Sequence, residues 1–118
     1  MPKFLGRADV VVDGETLLSG DDTTLDPGGF KRDPVKGSKV FGYREEIMEA
    51  VLEVNVAIGA DYSSDRLNAI TNATINFVAD TGQTWVMRSA FSADPGKINQ
   101  KDGKAKHVFK SPPAEEAS

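Results

Sequence analysis

The chain is built around residues 46–58, which read EIMEAVLEVNVAI. Every second residue of this segment is apolar, while the residues between are mixed and partly acidic. Strict alternation is typical of a β-strand with one face in a core, although Ile47, Val51, Val54 and Ile58 also fit helical spacing. The valines favour the strand. The apolar row is Met48, Ala50, Leu52, Val54, Val56 and Ile58.

This predicted strand is long, and its second face is unusual. A typical strand has about five or six residues, so a strand of this length needs partners along most of it. Its second face contains carboxylates and an amide among apolar residues. Such a face is what we expect of a surface that another copy of the chain partly buries, or that lines a wet cavity.

Length and composition restrict the class of protein. The 118 residues predict a single domain spanning 1–118, and 39% hydrophobic residues can support a modest core. The chain has no cysteine, and no segment approaches the roughly 20 apolar residues of a membrane span. Residues 1–7 lack an apolar run of signal-peptide length, so we expect a chain made and kept in a cytoplasm.

The net charge of −4 is unevenly distributed along the chain. Residues 1–44 are neutral, residues 45–95 carry a net charge of −6, and residues 96–118 carry +2. An acidic middle argues against tight binding of nucleic acid, which needs a cationic surface. The distribution fits either ordinary solvated faces or subunits that meet acidic side to basic side.

The remaining pattern predicts six or seven short strands and one short helix. Asp13-Gly14 is a strong hairpin signal, Ser64 is a suitable N-cap for a helix through about Ala73, and Asp94-Pro95-Gly96 predicts a turn. Pro112-Pro113 is expected to end regular structure, leaving residues 111–118 as a C-terminal tail. Antiparallel hairpins dominate. The predicted fold is therefore mainly β, a small antiparallel barrel or sandwich with one short α-helix and a long extended arm.

Residues 30–44 are the predicted arm. They lack clear periodicity, they combine five basic residues with three aromatic ones, and Pro34, Gly37 and Gly42 interrupt them. A connection of about fifteen residues is long for a compact domain. Either it is a flexible loop or it becomes ordered against a partner. Aromatic residues among arginine and lysine are favoured at protein interfaces.

No constellation of residues points to catalysis, a metal or a cofactor. His107 is the only histidine, and without cysteine or a second histidine it is expected to be a partly exposed strand residue beside lysines. No serine lies in a nucleophile motif, and adjacent carboxylates such as Asp21-Asp22 point to opposite sides of an extended chain. We therefore predict no enzyme and no cofactor. The aromatic residues Phe77, Trp85 and Phe109 alternate on strands and are expected in the core.

Five short motifs, in order along the chain, carry a resemblance to a known family. They are Leu25-Asp26-Pro27-Gly28-Gly29, then Gly42-Tyr43 with Glu45-Glu46-Ile47, Leu67 with Ala69-Ile70, Ala79-Asp80-Thr81-Gly82-Gln83-Thr84-Trp85, and Pro112-Pro113-Ala114-Glu115-Glu116. In this order and spacing the chain resembles the tail tube proteins of Mu-like contractile-tailed bacteriophages. That family is similar to the type VI secretion tube protein.

The resemblance implies a structural subunit of the virion. Six subunits would form a ring, and rings would stack into a hollow tube, inside a contractile sheath, through which the genome passes. The implied partners are other copies of the chain, the tail sheath, the tape-measure and baseplate proteins, and DNA only transiently; no membrane is involved. The alternatives are a tube component of a type VI-like secretion or tailocin apparatus, and a monomeric β-sandwich that binds a ligand.

Two sets of residues acquire roles from this resemblance. The arm would reach the next ring through Phe30, Lys31, Arg32, Val35, Phe41 and Tyr43. The second face of the long strand would line the channel through Glu49, Glu53 and Asn55, where carboxylates would repel DNA phosphates. The alternative for Glu49 and Glu53 is a solvated position on the outer side.

Overall fold

The computed structural model of the chain describes residues 6–17, 23–59, 63–101 and 103–117. Most of this part of the chain is β-structure, with one short helix. The elements are β1 (Ala8–Val12), β2 (Glu15–Leu17), β3 (Thr24–Asp26), β4 (Gly29–Lys36), β5 (Val40–Met48), β6 (Ala50–Ala57), α1 (Ser64–Asn68), β7 (Ala73–Ala79), β8 (Thr84–Asn99), β9 (Lys104–Ser111) and β10 (Glu115–Ala117).

All strand pairs are antiparallel, as the hairpin signals predict. Eight strands form one sheet in the order β2-β1-β7-β8-β9-β6-β3, with β10 added beside β8. Strands β4 and β5 form a separate two-stranded sheet. The predicted mainly β fold is confirmed as an open sandwich: among the described strands, the path ends at β2 and β3 without closing into a barrel.

Strand β8 joins the two halves of the sandwich. Its first half pairs with β7 and with β10, whereas its second half, from Phe91 onward, pairs with β9. At the junction the register with β7 shifts, and Ser89 adopts a positive φ of 57°. A bulge of this kind bends a strand, so it turns the sheet over onto itself and encloses the core between the two halves.

The core confirms the alternation in the central segment. Ala50, Leu52, Val54 and Val56 of β6 are all buried and face side chains from the other half of the sandwich. Phe77 and Trp85, predicted to be core residues, meet edge to face with ring centroids 6.0 Å apart. The largest fully buried side chains include Phe109, Ile75, Met87 and Val10, whereas Trp85 is partly buried at the edge of the core.

The central strand is shorter than predicted, because the segment 46–58 is divided at Glu49. Residues up to Met48 belong to β5, and β6 ends at Ala57. The main-sheet partners of β6 stop at Asp26 and Ser111, opposite Val51 and Ala50. A strand continues only where a neighbour accepts its hydrogen bonds. On the N-terminal side of Glu49 the chain therefore pairs with β4 instead.

The predicted extended arm is a regular antiparallel hairpin of β4 and β5 rather than an irregular connection. Gly29 lies opposite Met48, and the pairing continues to Val35 opposite Gly42, with one register shift near the tip. Three successive central pairs join opposite charges, and the next pair joins Pro34 with Tyr43. Cross-strand pairs of this type stabilise a sheet, and they were the signal that sequence analysis missed.

Three local boundaries also differ from the prediction. The helix is capped by Ser63, whose Oγ accepts a hydrogen bond from Arg66 N at 3.3 Å, and it ends at Asn68 rather than near Ala73. The predicted turn at Asp94-Pro95-Gly96 is an irregular part of β8, which continues to Asn99. The predicted C-terminal tail contains the end of β9 and the whole of β10, which covers the edge of β8.

Candidate assembly surfaces

The hairpin β4–β5 is the most exposed apolar feature among the described residues. The two strands pack mainly against each other, and no residue of β5 is buried. Four large side chains, Phe30, Phe41, Tyr43 and Ile47, are each 60–64% exposed. A monomeric protein rarely leaves such a contiguous apolar group in water, so a surface of this kind marks an interaction site.

The four side chains lie on one face of the hairpin, which we call the aromatic face. Phe30 is directly opposite Ile47, and Phe41 and Tyr43 follow at alternate positions of β5. Arg32 shares this face: its guanidinium carbon lies 5.5 Å from the centroid of the Tyr43 ring, and its Nε donates to Glu45 Oε1 at 3.3 Å. The charge of Arg32 is thus partnered within the face.

The opposite face of the hairpin, here the charged face, has a different composition. Lys31 lies opposite Glu46, and Asp33 lies opposite Arg44. Val35 also lies on this face, opposite Gly42. The structure therefore divides the arm residues of the sequence prediction, placing Phe30, Arg32, Phe41 and Tyr43 on one face and Lys31 and Val35 on the other.

The base of the hairpin is fixed to the sandwich. Gly28 N donates to Asp26 Oδ1 at 3.1 Å, and the Pro27 carbonyl accepts from Ala114 N at 2.8 Å. Gly28 has a φ of +73°, and a Cβ there would lie 2.5 Å from the Met48 carbonyl oxygen. Only glycine suits this position. The hairpin therefore leaves the body in a defined direction.

The three channel candidates lie together on the surface of the main sheet that faces away from the core. Glu53 and Asn55 alternate with the buried residues of β6, and Glu49 precedes that strand. Two of them face lysines on β9: Glu49 Oε1 is 3.9 Å from Lys110 Nζ, and Glu53 Oε2 is 3.8 Å from Lys106 Nζ.

The lysines of β9 could not be recognised as partners of these carboxylates from the sequence. Lys104, Lys106 and Lys110 alternate with buried residues, but nothing in the sequence pairs β9 with β6. By the strand register, the outer face of β3, β6, β9 and the second half of β8 carries four carboxylates and four lysines among the described residues. They are Asp26, Glu49, Glu53, Asp94, Lys97, Lys104, Lys106 and Lys110. This face is therefore balanced in charge rather than acidic.

His107 is not the partly exposed residue that the sequence predicts, because it is fully buried. Its imidazole stacks on Phe109 with ring centroids 6.1 Å apart and lies against Gly96. Burial lowers the pKa of His107 below its ordinary value, since the low-dielectric surroundings disfavour the charged form. The ring serves as a core side chain.

No group of three or more histidine and acidic side chains within residues 6–17, 23–59, 63–101 and 103–117 could hold a metal ion. No helix in those ranges is long and apolar enough to cross a membrane.

The fold has known counterparts in contractile injection systems. A chain from the sheath/tube terminator of an extracellular contractile injection system, PVC, in its extended state superimposes with a TM-score of 0.69 at 12% identity, covering 100% of this chain and 98% of that one. A chain from the PVC sheath–tube complex gives 0.67 at 13% identity, with 99% and 92% covered. The class of protein is therefore a small β-sandwich with the fold of these assembly components.

The sequence identifies the family. The profile of the phage tail tube protein family matches residues 1–116. The chain is 38% identical over 104 residues to the Mu-like prophage FluMu tail tube protein of Haemophilus influenzae, covering 88% of this chain and 87% of the relative. It is 34% identical over 92 residues to the tail tube protein of Escherichia phage Mu, covering 78% of each. The chain belongs to the phage tail tube protein family, which is structural and not enzymatic.

Proposed function

We propose that this protein assembles with copies of itself into rings of six that stack as the hollow tube of a contractile phage tail. Family membership supports the tube, and the exposed aromatic hairpin is the observation that carries self-assembly. Burying the apolar surface of these side chains is favourable, by about 25 cal/mol for each Å² removed from water. A subunit that exposes this apolar surface as a monomer therefore gains free energy when assembly with other copies buries it.

Within a ring, we propose that neighbouring subunits join through their sheet edges. The described part of the main sheet has edge strands in β2 and β3, and the second half of β8 pairs with β9 on one side only. Unpaired strand edges readily accept another chain. Two different edges on one subunit allow head-to-tail contacts, which close into a ring if the rotation between subunits allows it.

Between rings, the hairpin is the proposed contact. It extends from the sandwich in a direction that Gly28 and the Pro27–Ala114 hydrogen bond define. Because every subunit contributes one hairpin, each interface between rings would repeat the contact around the tube. Multiple engagement of this kind raises overall affinity well above that of a single contact.

The channel wall is proposed to be the outer face that carries Glu49, Glu53 and Asn55. From the sequence and the family resemblance, the carboxylates alone are expected to repel DNA. Their pairing with Lys106 and Lys110 supports a modified proposal, in which the wall is close to neutral. A neutral wall neither binds nor strongly repels phosphates, so DNA would pass without sticking.

The remaining partners belong to the same proposal: a tail sheath around the tube, tape-measure and baseplate proteins at its end, and DNA in the lumen during ejection. The subunit would be made in the host cytoplasm and reside in the virion. The relatives at 34–38% identity are phage and prophage proteins, while the injection-system chains share only 12–13%. This difference favours a phage tail over a secretion apparatus.

Electron microscopy of the purified, concentrated protein tests the proposal. We expect negatively stained rings or tubes with a central hole. A variant in which a short glycine-serine linker replaces residues 30–43 is expected to keep the far-UV circular dichroism of a β-sandwich but to form no stacked rings. Tubes of parental length from this variant would disprove the hairpin contact. A parent that stays monomeric at all concentrations in analytical ultracentrifugation would disprove self-assembly.

A further inference from the structure

We propose that only the aromatic face of the hairpin binds the neighbouring copy of this chain, and that the charged face stays in water. This inference rests on the proposed function. It goes beyond it by dividing the hairpin into a binding side and a solvent side, which removes Lys31 and Val35 from the contact.

The two faces differ in what they would gain from being covered by a partner. On the charged face, Lys31 opposes Glu46 and Asp33 opposes Arg44, so each charge has an opposite charge across the strand pair. Covering this face would remove four charged groups from water, which is costly unless a partner replaces every hydration contact. The face gains little from a partner.

The aromatic face, in contrast, gains more than it loses when a partner covers it. Phe30, Phe41, Tyr43 and Ile47 gain from burial and have no covering element among the described residues. Arg32 does not prevent burial, because Glu45 and the Tyr43 ring already hold its guanidinium. Aromatic residues and arginine are the side chains that most often dominate the affinity of protein interfaces. The side chains are also held on a paired strand, so little conformational freedom is lost on binding.

Charge indicates that the occupant is another copy of this chain. The hairpin, residues 29–48, carries five basic and three acidic side chains, a net charge of +2. The three cross-strand pairs that join opposite charges neutralise its sides, which leaves Lys36 and Lys39 near the tip as the excess. The rest of the chain carries nine basic and fifteen acidic side chains, a net charge of −6. A basic tip on an acidic body favours head-to-tail association of copies.

The same combination of lysines and aromatic rings can also bind single-stranded nucleic acid, by stacking of bases. The structure favours a protein partner, because the aromatic face contains an aliphatic residue, Ile47, and an internally paired arginine. Both suit a dry protein interface better than a phosphate backbone. Nucleic acid is therefore treated as the outcome that would contradict the proposal.

The test compares two double variants, one on each face. Phe41→Ser with Tyr43→Ser removes aromatic-face residues, and Val35→Ser with Met48→Ser is the control on the other face. Met48 alternates with Glu46 and Arg44, Val35 alternates with Asp33 and Lys31, and both are exposed apolar residues. Sedimentation across a concentration series and negative-stain microscopy give the concentration at which tubes form.

We expect the aromatic-face variant to raise this concentration by about 100-fold or more, as loss of two interface hot spots does. The control is expected to stay within about threefold of the parent. Equal effects of the two variants, or no effect of either on a parent that forms tubes, would overturn the inference and leave tube formation standing. A parent that forms no tubes would instead refute the proposed function.

Two further measurements keep the result interpretable. Phe30→Ser with Ile47→Ser tests the same face near the base of the hairpin, in case the tip variant does not fold by circular dichroism. Titration of the parent with a fluorescent single-stranded oligonucleotide tests the other occupant. Binding that the aromatic-face substitutions abolish while tube formation stays normal would overturn the inference.

Discussion

At the scale of single residues, Gly96 packs directly against the buried imidazole ring of His107. A Cβ placed on Gly96 would lie 2.2 Å from His107 Cε1 and 2.6 Å from its Nε2. Gly96 N also donates to Asn68 Oδ1 at 3.0 Å, which ties this part of β8 to the end of the helix. The irregular part of β8 thus lies directly on a buried aromatic ring, with no space for a side chain between them.

This contact predicts that Gly96→Ala destabilises the fold. The neighbour is a rigid ring in a packed core, so the backbone of β8 must move to admit a methyl group. Inserting a methyl group into a packed site costs about 1–3 kcal/mol. Urea denaturation followed by tryptophan fluorescence measures the change in the free energy of unfolding. Gly59→Ala is the matched control, since nothing lies within 4 Å of its Cβ position, and we expect it to be close to neutral.

His107 also predicts how stability depends on pH. Above about pH 6.5 the imidazole is neutral in both the folded and the unfolded chain. As the pH falls below this value, the unfolded chain takes up a proton that the buried ring binds less well, because the folded pKa is lowered. The free energy of unfolding must therefore decrease until the pH passes the folded pKa.

The measurement is a set of urea titrations between pH 8 and pH 4.5 for the parent and for His107→Gln. Carboxylates titrate in both proteins, so the difference between their profiles isolates the histidine. We expect the parent to lose more stability than the variant as the pH falls below 6.5. Parallel profiles would contradict the assignment of His107 as a neutral core residue.

At the scale of elements, the sequence was informative wherever a strand alternates over the body of the sandwich. The buried positions of β6 and β7 follow directly from their alternating residues, because each has one face in a single core. The turn at Asp13-Gly14 was also predictable, since both residues have positive φ, as a two-residue hairpin turn requires.

The elements that were mispredicted depend on pairing across the chain. A Pro-Gly pair usually favours a turn. Here β9 and Asn68 hold Pro95 and Gly96 in an extended strand. Residues 115–117 form a strand because β8 offers an open edge. The alternating apolar row of β5 is interrupted by Glu45, because neither face of the hairpin meets the core of this subunit, so hydrophobic periodicity reveals the hairpin poorly.

At the scale of the whole molecule, the chain is an elongated body of 62 × 40 × 27 Å. The sandwich contains the buried core, and the hairpin leaves it from the base at Gly28. The face that we propose for the channel balances four carboxylates against four lysines, by the register of its strands. An elongated subunit with separate surfaces for neighbours and for a channel is suited to repeating assembly.

This arrangement predicts the effect of reversing the channel charges. Glu49→Lys with Glu53→Lys leaves two carboxylates and six lysines on the outer face, so phosphates would bind there by releasing counterions. We expect tubes of normal appearance in micrographs, but slower DNA ejection and lower infectivity of particles that contain them. The defect should lessen as the salt concentration rises.

The matched control reverses charges that lie off this face. Glu115→Lys with Glu116→Lys on β10 changes the total charge equally, and both residues are exposed. We expect ejection by these particles to match the parent. Slowed ejection in both variants would point to net charge rather than the channel wall, and normal ejection by the Glu49 and Glu53 variant would remove these residues from the wall.

The candidate surfaces were predictable only in part. The arm residues and the channel residues could be chosen from composition and resemblance, because exposed aromatic residues and a mixed strand face are visible in a linear chain. Two features depend on strand register. One is which arm residues share a face, and the other is that Lys106 and Lys110 lie beside Glu53 and Glu49. Register is set by contacts between residues that are 47–61 positions apart in the case of β6 and β9.

Local alternation and turn chemistry were enough to establish a mainly β chain, its central strand and its hairpin turn, since these follow from the preferences of neighbouring residues and the burial of one face. Three features required the folded molecule: the division of the central segment at Glu49, the two-sided hairpin and the burial of His107. Each of them depends on which distant strand supplies the next hydrogen-bonding partner, and no preference of neighbouring residues contains that information.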